Sequence, residues 1–593
     1  IELFSVLTPS QRKHFYLLQV LVVIMAFTEI VGIASIAPFM ALVGDVSILE
    51  RDNLLANLYL RSNLSDPYEF IFYLGLIVLV TLTSAAIVSM YISWRLAMFA
   101  TKVGAEIADR LYSHYLDQDW LFHTMGSSSD LTKKIANEST RVTAQILLPL
   151  MQMNSRIVLT FFISLMMFLY NPIVAIIGLS VFAGAYVILF KLVRTRLQIN
   201  GNVISNMYAD RFKLMNEGFG GIKDVLLLGR SRDFKKRFLK TGDELAYSQG
   251  TNTAMAQVPR YFMELLAFGA MISLVLYLLT SYKGNLGLIL PILSVYALAG
   301  MKLLPALQQI YASLATLKGN ISAYESIRDD LINISSNSGI KTESDNHSLF
   351  KKNEINLKNV TFNYPGKATP ALENVSLKIK ENSVVGFVGT SGSGKSTLID
   401  IIIGLITPQE GEVIIDGVSL VKENSRAWKN KIGFVPQSIF LTEGTVAENI
   451  AFGVEQNLID YHKVENALKL AHLDELVSGL EHKVHTKVGE RGVQLSGGQR
   501  QRIGIARALY DEADVLVFDE ATSALDGITE KIIMDAIHDF TGKKTLIMVA
   551  HRLKTVQNCD QIFMMEKGHV VDSGTYKELL DSNNDFKKMS AHA

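Results

Sequence analysis

GTSGSGKS, at Gly389–Ser396, is the stretch of sequence that decides the fold of the C-terminal half. Closely spaced glycines let backbone N–H groups approach phosphate oxygens, and the helix that follows adds its positive N-terminal end. Lys395 would reach the β- and γ-phosphates of a nucleotide, and Ser396 would bind the magnesium ion. The segment therefore predicts an α/β domain built around a phosphate-binding loop.

Three further motifs follow the phosphate loop in order along the chain. LSGGQ occupies Leu495–Gln499, VLVFDE occupies Val515–Glu520, and VAHR contains His551. A phosphate loop alone indicates some nucleotide-binding protein, whereas this ordered set is typical of one family. On these motifs, and from about residue 353 to the C-terminus, the chain resembles the ATP-binding cassette (ABC) family.

The resemblance implies a site that binds ATP. The implied contacts to adenine and the phosphates are Tyr364, Gly389, Thr390, Ser391, Gly392, Ser393, Gly394, Lys395, Ser396 and Thr397. Tyr364, in FNYPG, stands where the family stacks an aromatic ring on adenine, and the contact uses the face of the ring. A core tyrosine at the end of a strand is the competing interpretation.

The same resemblance implies that the site hydrolyses ATP with Mg²⁺. Glu520 would be the general base that polarises the attacking water, and His551 would contact the γ-phosphate. The implied magnesium ligands are Ser396, Gln437 and Asp519. Gln437 is also a catalytic candidate, because in the family this glutamine touches the attacking water. A lone histidine is more often structural, but His551 follows a strand-like run at the place that the family pattern requires.

LSGGQ implies an assembly of two chains. A helix N-terminus at this motif can bind a γ-phosphate, by the same physics as the phosphate loop. The residues concerned are Ser496, Gly497, Gly498 and Gln499. In the family this contact is made across a dimer interface, which Asp526 would also cross. The resemblance therefore implies a homodimer with two complete ATP sites.

Nearly every long apolar run lies in the N-terminal half of the chain. Because a bilayer core of roughly 30 Å needs about 20 mostly apolar residues per helix, six segments are predicted to span the membrane. They are Phe15–Leu42, Phe70–Trp94, Leu147–Tyr170, Ile173–Leu192, Tyr261–Thr280 and Leu286–Leu304. The predicted fold is an α-helical membrane domain with six transmembrane helices, like that of type I (type IV) exporters. This domain is fused to an α/β P-loop ABC nucleotide-binding domain.

Long, cation-rich connections follow the second and fourth segments, and the positive-inside rule places them and both termini in the cytoplasm. Periodic patterns in these loops predict that the helices continue into the cytoplasm as hairpins. Short cross-helices near Trp120–Met125 and Gly218–Leu228 would couple to the nucleotide domain, and a merely solvated basic loop is the alternative. We expect a membrane domain at 1–332, a linker at 333–352 and the nucleotide domain at 353–593.

Composition narrows the classes of protein further. The chain has 57 Lys+Arg and 57 Asp+Glu, so its net charge is zero and no nucleic-acid partner is expected. Phe15–Leu42 is too long for the apolar part of a cleaved signal peptide. It predicts a retained helix in a multi-pass protein of the inner (plasma) membrane. The single cysteine, Cys559, excludes an internal disulfide and is expected to be a small buried apolar residue.

Charged residues in or beside the predicted spans are candidates for substrate binding, because charges inside a membrane are costly. Arg260, Lys302 and Arg156 belong to the fifth, sixth and third segments, and Glu29 belongs to the first. Cations of this kind suit a phosphate or pyrophosphate headgroup. The alternative is snorkelling, or ion pairs such as Arg260 with Glu264, four residues apart on one helix face.

An amphipathic stretch, Asp45–Leu64, separates the first two segments and predicts a helix on the outer surface of the bilayer. The alternative is that its apolar patch packs on the protein's own helices. In this stretch, and in VPRYFMELLAFG and LAGMKLLP, the chain is similar to the lipid-linked oligosaccharide flippases of bacterial N-glycosylation. The resemblance implies a polyprenyl-pyrophosphate glycan that is moved from the inner to the outer leaflet. One alternative is an exporter of another amphiphile, such as a lipid A-like lipid, a peptide or a drug. A nucleotide-gated channel or regulator is a further alternative.

Overall fold

The chain divides into two compact units in the computed structural model. One contains Ile1–Gln118 and Phe122–Gly339, and the other contains Asp119–Leu121 and Ile340–Ala593. The structure describes residues 7–44, 46–50, 54–62, 64, 66–170, 172–281, 286–336, 349–489, 495–520, 534, 540–550 and 552–591. Most of the predicted linker, 333–352, lies outside these ranges.

The chain is helical from Pro9 to Ser336, with short connections between most of the helices. The helices are α1 (Pro9–Gly44), α2 (Leu54–Arg61), α3 (Pro67–Leu116), α4 (Trp120–Met125), α5 (Ser128–Lys133), α6 (Ser139–Val142), α7 (Leu148–Tyr170), α8 (Pro172–Gly220), α9 (Ile222–Leu227), α10 (Ser231–Gln257), α11 (Pro259–Ser281) and α12 (Leu286–Ser336). Two π-helical turns, Lys134–Glu138 and Thr143–Leu147, flank α6. Short helices thus occur at both places where the sequence predicts cross-helices.

Five stretches within the described residues are long and apolar enough to cross a membrane. They are Pro9–Gly44, Pro67–Leu116, Ser128–Leu169, Ala175–Gly220 and Ser231–Tyr277. Many large apolar side chains stay exposed along them, as expected for surfaces that face lipid. The sixth predicted segment, Leu286–Leu304, lies in α12, and its side chains at 286–292 are outside the described part. That span stays a prediction.

The membrane helices are much longer than a bilayer requires. α3 has 50 residues and α12 has 51, and at 1.5 Å per residue each is about 75 Å long against a hydrocarbon core of roughly 30 Å. α3 therefore continues past Trp94, where the predicted apolar span ends, to Leu116. The change in composition at Trp94 marks the end of the apolar segment and not the end of the helix.

A buried polar cluster joins three helical segments of this unit. The Nη1 atom of Arg141 donates to Oε2 of Glu138 and to Oγ of Ser205, both at 2.8 Å. Nη2 of Arg141 donates to Oδ1 of Asn320 at 3.1 Å. Glu138 is completely buried, so its charge depends on the guanidinium of Arg141. The cluster therefore fixes α6 against α8 and α12.

The second unit contains two β-sheets and several helices. The strands are β1 (Ile355–Phe362), β2 (Leu372–Ile379), β3 (Val384–Gly389), β4 (Glu410–Ile415), β5 (Val418–Ser419), β6 (Ile432–Val435), β7 (Val515–Asp519), β8 (Thr545–Val549), β9 (Gln561–Glu566) and β10 (His569–Gly574). The helices are α13 (Lys395–Ile402), α14 (Ser425–Lys429), α15 (Val446–Ile450), α16 (Tyr461–Leu470), α17 (Asp474–Ser478), α18 (Gly497–Tyr510), α19 (Tyr576–Ser582) and α20 (Asn584–Ala591).

The order of the strands positions the nucleotide site. The six-stranded sheet has the order β10-β9-β3-β8-β7-β6, and the four-stranded antiparallel sheet has the order β2-β1-β4-β5. β3, β6, β7, β8 and β9 are mutually parallel, and all six residues of β3 are buried. Parallel strands buried on both faces are expected to be continuously apolar, as VLVF and TLIMV are. Since β8 alone separates β3 from β7, Gly389 and Asp519 reach the same edge of the sheet.

Cys559 lies in the core of the second unit, as the sequence predicts. Only 6% of its surface is exposed. Burial, followed by the nearby charge of Asp560, raises the pKa of the Cys559 thiol to about 12. The thiol is therefore neutral at physiological pH and acts as a small apolar side chain.

Replacing Arg141 by Ala should destabilise the helices that it joins. The change leaves the carboxylate of Glu138 buried without its partner, which costs about 3–5 kcal/mol. Hydrogen exchange of the α6 and α8 amides in the purified, detergent-solubilised protein measures this cost. Arg230→Ala is the matched control, because Arg230 pairs with Asp233 at the same helical spacing but both side chains are more than half exposed. Equal effects of the two changes would contradict the assigned role of burial.

Candidate nucleotide-binding site

The phosphate loop joins the end of β3 to the start of α13. Gly389 and Gly394 have φ angles of +150° and +102°, in the region that favours glycine. A Cβ atom at Gly389 would lie 2.2 Å from the carbonyl oxygen of Met565, and one at Gly394 would lie 2.6 Å from that of Ala371. Glycine is therefore required at both positions for the loop to pack against its neighbours.

Lys395 places a positive charge inside this loop. Its side chain is almost fully buried, and Nζ donates to the carbonyl oxygens of Gly389 at 2.9 Å and Thr390 at 3.0 Å. Burial lowers the pKa of Lys395, while the carboxylates of Glu520 and Asp519 raise it by a smaller amount. A cation beside backbone N–H groups at a helix N-terminus is the combination that a phosphate chain requires.

The predicted catalytic side chains lie beside the loop, at the edge where β6 and β7 end. Nε2 of Gln437 donates to Oε2 of Glu520 at 2.5 Å. Asp519 ends β7, opposite Val549 in β8, and the backbone N–H of Glu520 donates to the Val549 carbonyl oxygen. The structure thus brings together Lys395, Gln437 and the adjacent pair Asp519 and Glu520, which come from three widely separated places in the sequence.

The backbone at Glu520 is unusual for a residue with a side chain. Its φ angle is +51°, in the left-handed region that costs a non-glycine residue free energy. Strained backbone of this kind is found at functional sites where the surrounding structure holds it. Here the bond to Val549 and the bond from Gln437 hold Glu520 at the sheet edge, where its carboxylate is half-buried.

The side chain of Tyr364 contacts other residues of its own domain. Its hydroxyl lies 3.3 Å from Oγ1 of Thr397, and its ring packs edge-to-face on Phe362 at 5.1 Å between centroids. The Nζ atom of Lys367 lies over the ring at 5.9 Å from its centroid. The side chain therefore has the core contacts that the competing interpretation requires, and the stacking of its ring on adenine remains a prediction.

The LSGGQ motif begins helix α18 with a complete capping box. Oγ of Ser496 accepts a bond from the N–H of Gln499 at 3.2 Å, and Oε1 of Gln499 accepts one from the N–H of Ser496 at 2.8 Å. Ser496 and Gly497 are exposed. An exposed helix N-terminus attracts anions, because its N–H groups point outward along the helix dipole.

Sequence reasoning missed two residues that hold α18 in place. Nε of Arg507, in α18, donates to the carbonyl oxygen of Asn449 at 2.8 Å, and its guanidinium lies 4.5 Å from the ring centroid of Phe452. Asn449 is fully buried and binds Thr442 through its side chain. Arg507 therefore connects α18, the helix that begins at the LSGGQ motif, to α15. The available sequence signal was an arginine among the apolar residues of IGIARALY.

Two predicted site residues, His551 and Asp526, lie outside the described residues. Ser396 is exposed in the first turn of α13, whereas Ser393 and Thr397 are buried. The remaining loop residues, Thr390, Ser391 and Gly392, are exposed. Their contacts with ATP and Mg²⁺ remain predictions, as do the catalytic roles.

Replacing Ser496 by Ala should distinguish its role as the N-cap of α18 from its predicted role in the ATP site. Loss of the cap should destabilise the first turn of α18 by about 1 kcal/mol, which amide hydrogen exchange measures. Thr575→Ala is the matched control, because Thr575 forms the same capping box at α19. Both variants should lose local protection, but Ser496→Ala alone should also lower ATP turnover. Equal turnover in the two variants would remove Ser496 from the ATP site.

Comparison with known proteins agrees with this geometry. Residues 17–303 match the model of the ABC transporter transmembrane region, and residues 372–523 match that of the ABC transporter ATP-binding domain. ATP-dependent lipid A-core flippases from Photorhabdus laumondii and Escherichia coli K12 are each 28% identical to the chain. The alignments cover 94% of this chain, and 94% and 96% of those two proteins.

A solved structure, that of a bacterial Atm1-family ABC exporter with ATP bound, has the same fold. Its TM-score is 0.79 over 98% of both chains, at 19% identity. The resemblance to the ABC family and the two-part fold predicted from the sequence are therefore confirmed. The chain belongs to the ABC transporter family, as a multi-pass membrane protein whose C-terminal domain hydrolyses ATP to drive translocation.

Proposed function

We propose that two copies of this chain form a homodimer that moves a polyprenyl-pyrophosphate-linked oligosaccharide across the inner (plasma) membrane. The cargo would pass from the inner to the outer leaflet. The observation that carries the proposal is the set of cations in the membrane unit, Arg260, Lys302 and Arg156, which an anionic headgroup could use during passage.

Arg260 keeps most of its hydrogen-bonding capacity although it forms an ion pair. Its Nε atom donates to Oε1 of Glu264 at 2.6 Å, so the pair expected by the competing interpretation is present. A guanidinium has five N–H donors, and the four on its terminal nitrogen atoms bind no residue within the described part of the chain. The side chain is 54% exposed, and Lys302 in α12 is also exposed. Both cations are therefore accessible to a phosphate-bearing ligand.

The short helix α2 supports a lipid cargo. Leu55 and Tyr59 pack beside a cluster formed by Leu42, Leu49 and Phe70. The remaining leucines of this helix, Leu54, Leu58 and Leu60, are 83%, 56% and 73% exposed. A helix that packs on one side and exposes leucines beside Asn57 and Arg61 on the other suits contact with lipid at a bilayer surface.

Two exposed features support the homodimer. The helix N-terminus at Ser496 and Gly497 is open, as expected if it completes the ATP site of a second copy. In addition, α9 and the residues beside it expose the apolar side chains of Phe219, Leu226, Leu227 and Leu228. An exposed apolar patch of this kind marks a contact surface for a protein partner, and we assign it to the nucleotide domain of a second copy.

The residues of the nucleotide site divide the work of hydrolysis. Ser396, Gln437 and Asp519 offer only oxygen ligands, which is the donor set that Mg²⁺ prefers, and a bound Mg²⁺ would neutralise phosphate charge. Glu520 accepts the proton of the attacking water, and Gln437, bonded to it, orients that water.

A second cargo is favoured by the relatives of this chain. The similar proteins from Photorhabdus laumondii and Escherichia coli are named lipid A-core flippases. Lipid A-like lipids and polyprenyl-pyrophosphate glycans are both anionic amphiphiles, so the same cations could bind either. The two cargos differ in the headgroup, since a diphosphate linkage presents its oxygens close together and suits two cations at one place.

Glu520→Gln should bind ATP without hydrolysing it at a useful rate. The amide keeps the shape of the side chain but cannot accept the proton, so turnover should fall by about two orders of magnitude or more. ATPase activity and nucleotide binding of the purified dimer are the measurements. ATP should then trap the closed dimer, which a disulfide between cysteines introduced near Ser496 and near the phosphate loop of the facing copy detects. Near-normal turnover would overturn the assignment of Glu520 as the base.

Neutralising Arg260 and Lys302 together should impair transport more than hydrolysis. Neither residue lies in the nucleotide domain, so basal ATPase activity should stay near the parental value while flipping falls several-fold. Arg260→Lys, which keeps the charge, is the control and should be milder. Parental flipping by the double Ala variant, with parental assembly, would assign Arg260 to the ion pair with Glu264 alone.

The cargo itself is tested in proteoliposomes that contain the purified wild-type chain. Fluorescent lipid-linked oligosaccharide and fluorescent lipid A are tested separately. Movement between leaflets is measured as an ATP-dependent decrease in the fraction of fluorescence that an added quencher removes. Faster movement of the oligosaccharide lipid supports the proposal. Movement of lipid A alone would establish the second cargo.

A further inference from the structure

Three polar residues from three different helices meet inside the membrane unit. They are Glu29 in α1, Ser89 in α3 and Arg156 in α7, and each lies within a segment predicted to span the membrane. Oγ of Ser89 donates to Oε1 of Glu29 at 3.0 Å. Nη1 of Arg156 lies 3.9 Å from Oε2 of Glu29.

The contact between Arg156 and Glu29 is an ion pair without a hydrogen bond. A separation of 3.9 Å is beyond hydrogen-bond range, and the guanidinium of Arg156 binds no other residue in the described part of the chain. The pair of Arg260 and Glu264 is different, since its atoms are 2.6 Å apart. Arg156 therefore has a counter-charge nearby, but its N–H donors have no hydrogen-bond partner among the described residues.

Glu29 and Arg156 also differ in their surroundings. The side chain of Glu29 is 13% exposed and that of Arg156 is 38% exposed. The carboxylate of Glu29 is thus nearly enclosed and has a partner in Ser89, whereas the guanidinium of Arg156 is accessible from outside the unit. A ligand with phosphate oxygens could bind Arg156 by a bidentate contact without displacing Ser89 from Glu29.

We propose that Glu29 is an exchangeable counter-ion for Arg156, and that the phosphate or pyrophosphate headgroup of the cargo takes its place during transport. This inference rests on the proposed function and adds a residue to its headgroup site. Glu29 lowers the cost of the Arg156 charge between transport cycles. It also weakens headgroup binding, which allows the cargo to leave once it has crossed.

The competing role for this cluster is structural, as a polar tie between α1, α3 and α7. The two roles predict opposite changes in headgroup binding when Glu29 is neutralised. If Glu29 competes with the headgroup, its neutralisation strengthens binding while neutralisation of Arg156 weakens it. In a structural tie, loss of either partner weakens binding in the same direction.

The test uses the full-length chain in nanodiscs and measures equilibrium binding of farnesyl pyrophosphate. Farnesol and inorganic pyrophosphate are separate arms that distinguish a lipid headgroup from a free anion. Glu29→Gln should tighten farnesyl pyrophosphate binding about fivefold, and Arg156→Gln should weaken it about tenfold, as expected for one charge-assisted contact. Ser89→Ala should weaken binding about threefold, because it frees Glu29 to pair more closely with Arg156.

Ser35→Ala is the matched control. Oγ of Ser35, in α1, lies 3.2 Å from Oγ1 of Thr81, in α3, so this change removes a polar contact between the same two helices. It should leave farnesyl pyrophosphate binding unchanged. Size-exclusion profiles identify variants that fail to assemble. If Glu29→Gln is one of them, Glu29→Asp decides the question: withdrawing the carboxylate from Arg156 should tighten binding if Glu29 competes with the headgroup, and should weaken it if the cluster is a structural tie.

The outcomes distinguish failure of the counter-ion inference from failure of the proposed function on which it rests. Shifts of Glu29→Gln and Arg156→Gln in the same direction, or no shift in either, overturn the exchange of counter-ions. Parental affinity in the charge-swapped double variant, E29R with R156E, also overturns it, because a structural tie would be restored. A wild-type chain that binds farnesyl pyrophosphate no better than farnesol counts against the proposed function itself.

Discussion

The nucleotide site depends on the close approach of three backbone segments around the phosphate loop. Gly389 lies against Met565 at the end of β9, and Gly394 lies against Ala371 just before β2, at distances that leave no room for a side chain. This packing presents the N-terminus of α13 at the edge of the sheet and buries Lys395 there. Because β8 alone lies between β3 and β7, the same packing sets the loop beside Asp519 and Glu520.

Charge organises the two units in different ways. In the nucleotide domain, the cation of Lys395 and the carboxylates of Asp519 and Glu520 share one edge, where the two carboxylates partly offset the lowering of the Lys395 pKa by burial. In the membrane unit, cations are costly and must be paired, exposed or used by a ligand. Arg141 is hydrogen-bonded to Glu138, Ser205 and Asn320 and serves stability, whereas Arg156 has a counter-charge but no hydrogen bond within the described part of the chain. This contrast separates a structural arginine from one suited to binding.

The membrane helices extend beyond the apolar segments that predict them. The apolar stretch Phe70–Trp94 predicts a membrane span, and a helix is found there, but α3 continues to Leu116. Hydropathy reports which residues tolerate lipid, whereas a helix continues as long as its backbone bonds and its packing persist. The parts of the helices beyond the predicted spans carry the cluster around Arg141, whose members come from three separate segments of the chain. No local pattern could have indicated that cluster.

The sequence by itself determined the family, the two-part architecture and the identity of the candidate ATP-site residues. It could do so because phosphate binding requires glycines and a lysine at set spacings within one turn of chain, and membrane spans require long apolar runs. Tertiary structure alone decided which distant side chains meet. Gln437 donates a hydrogen bond to Glu520 because β6 and β7 are neighbours. Arg507 holds α18 in place through its bond to Asn449. Glu29 lies beside Arg156 because α1 and α7 pack together. Such pairings depend on strand order and helix packing, which are properties of the whole chain and are not encoded in any single segment.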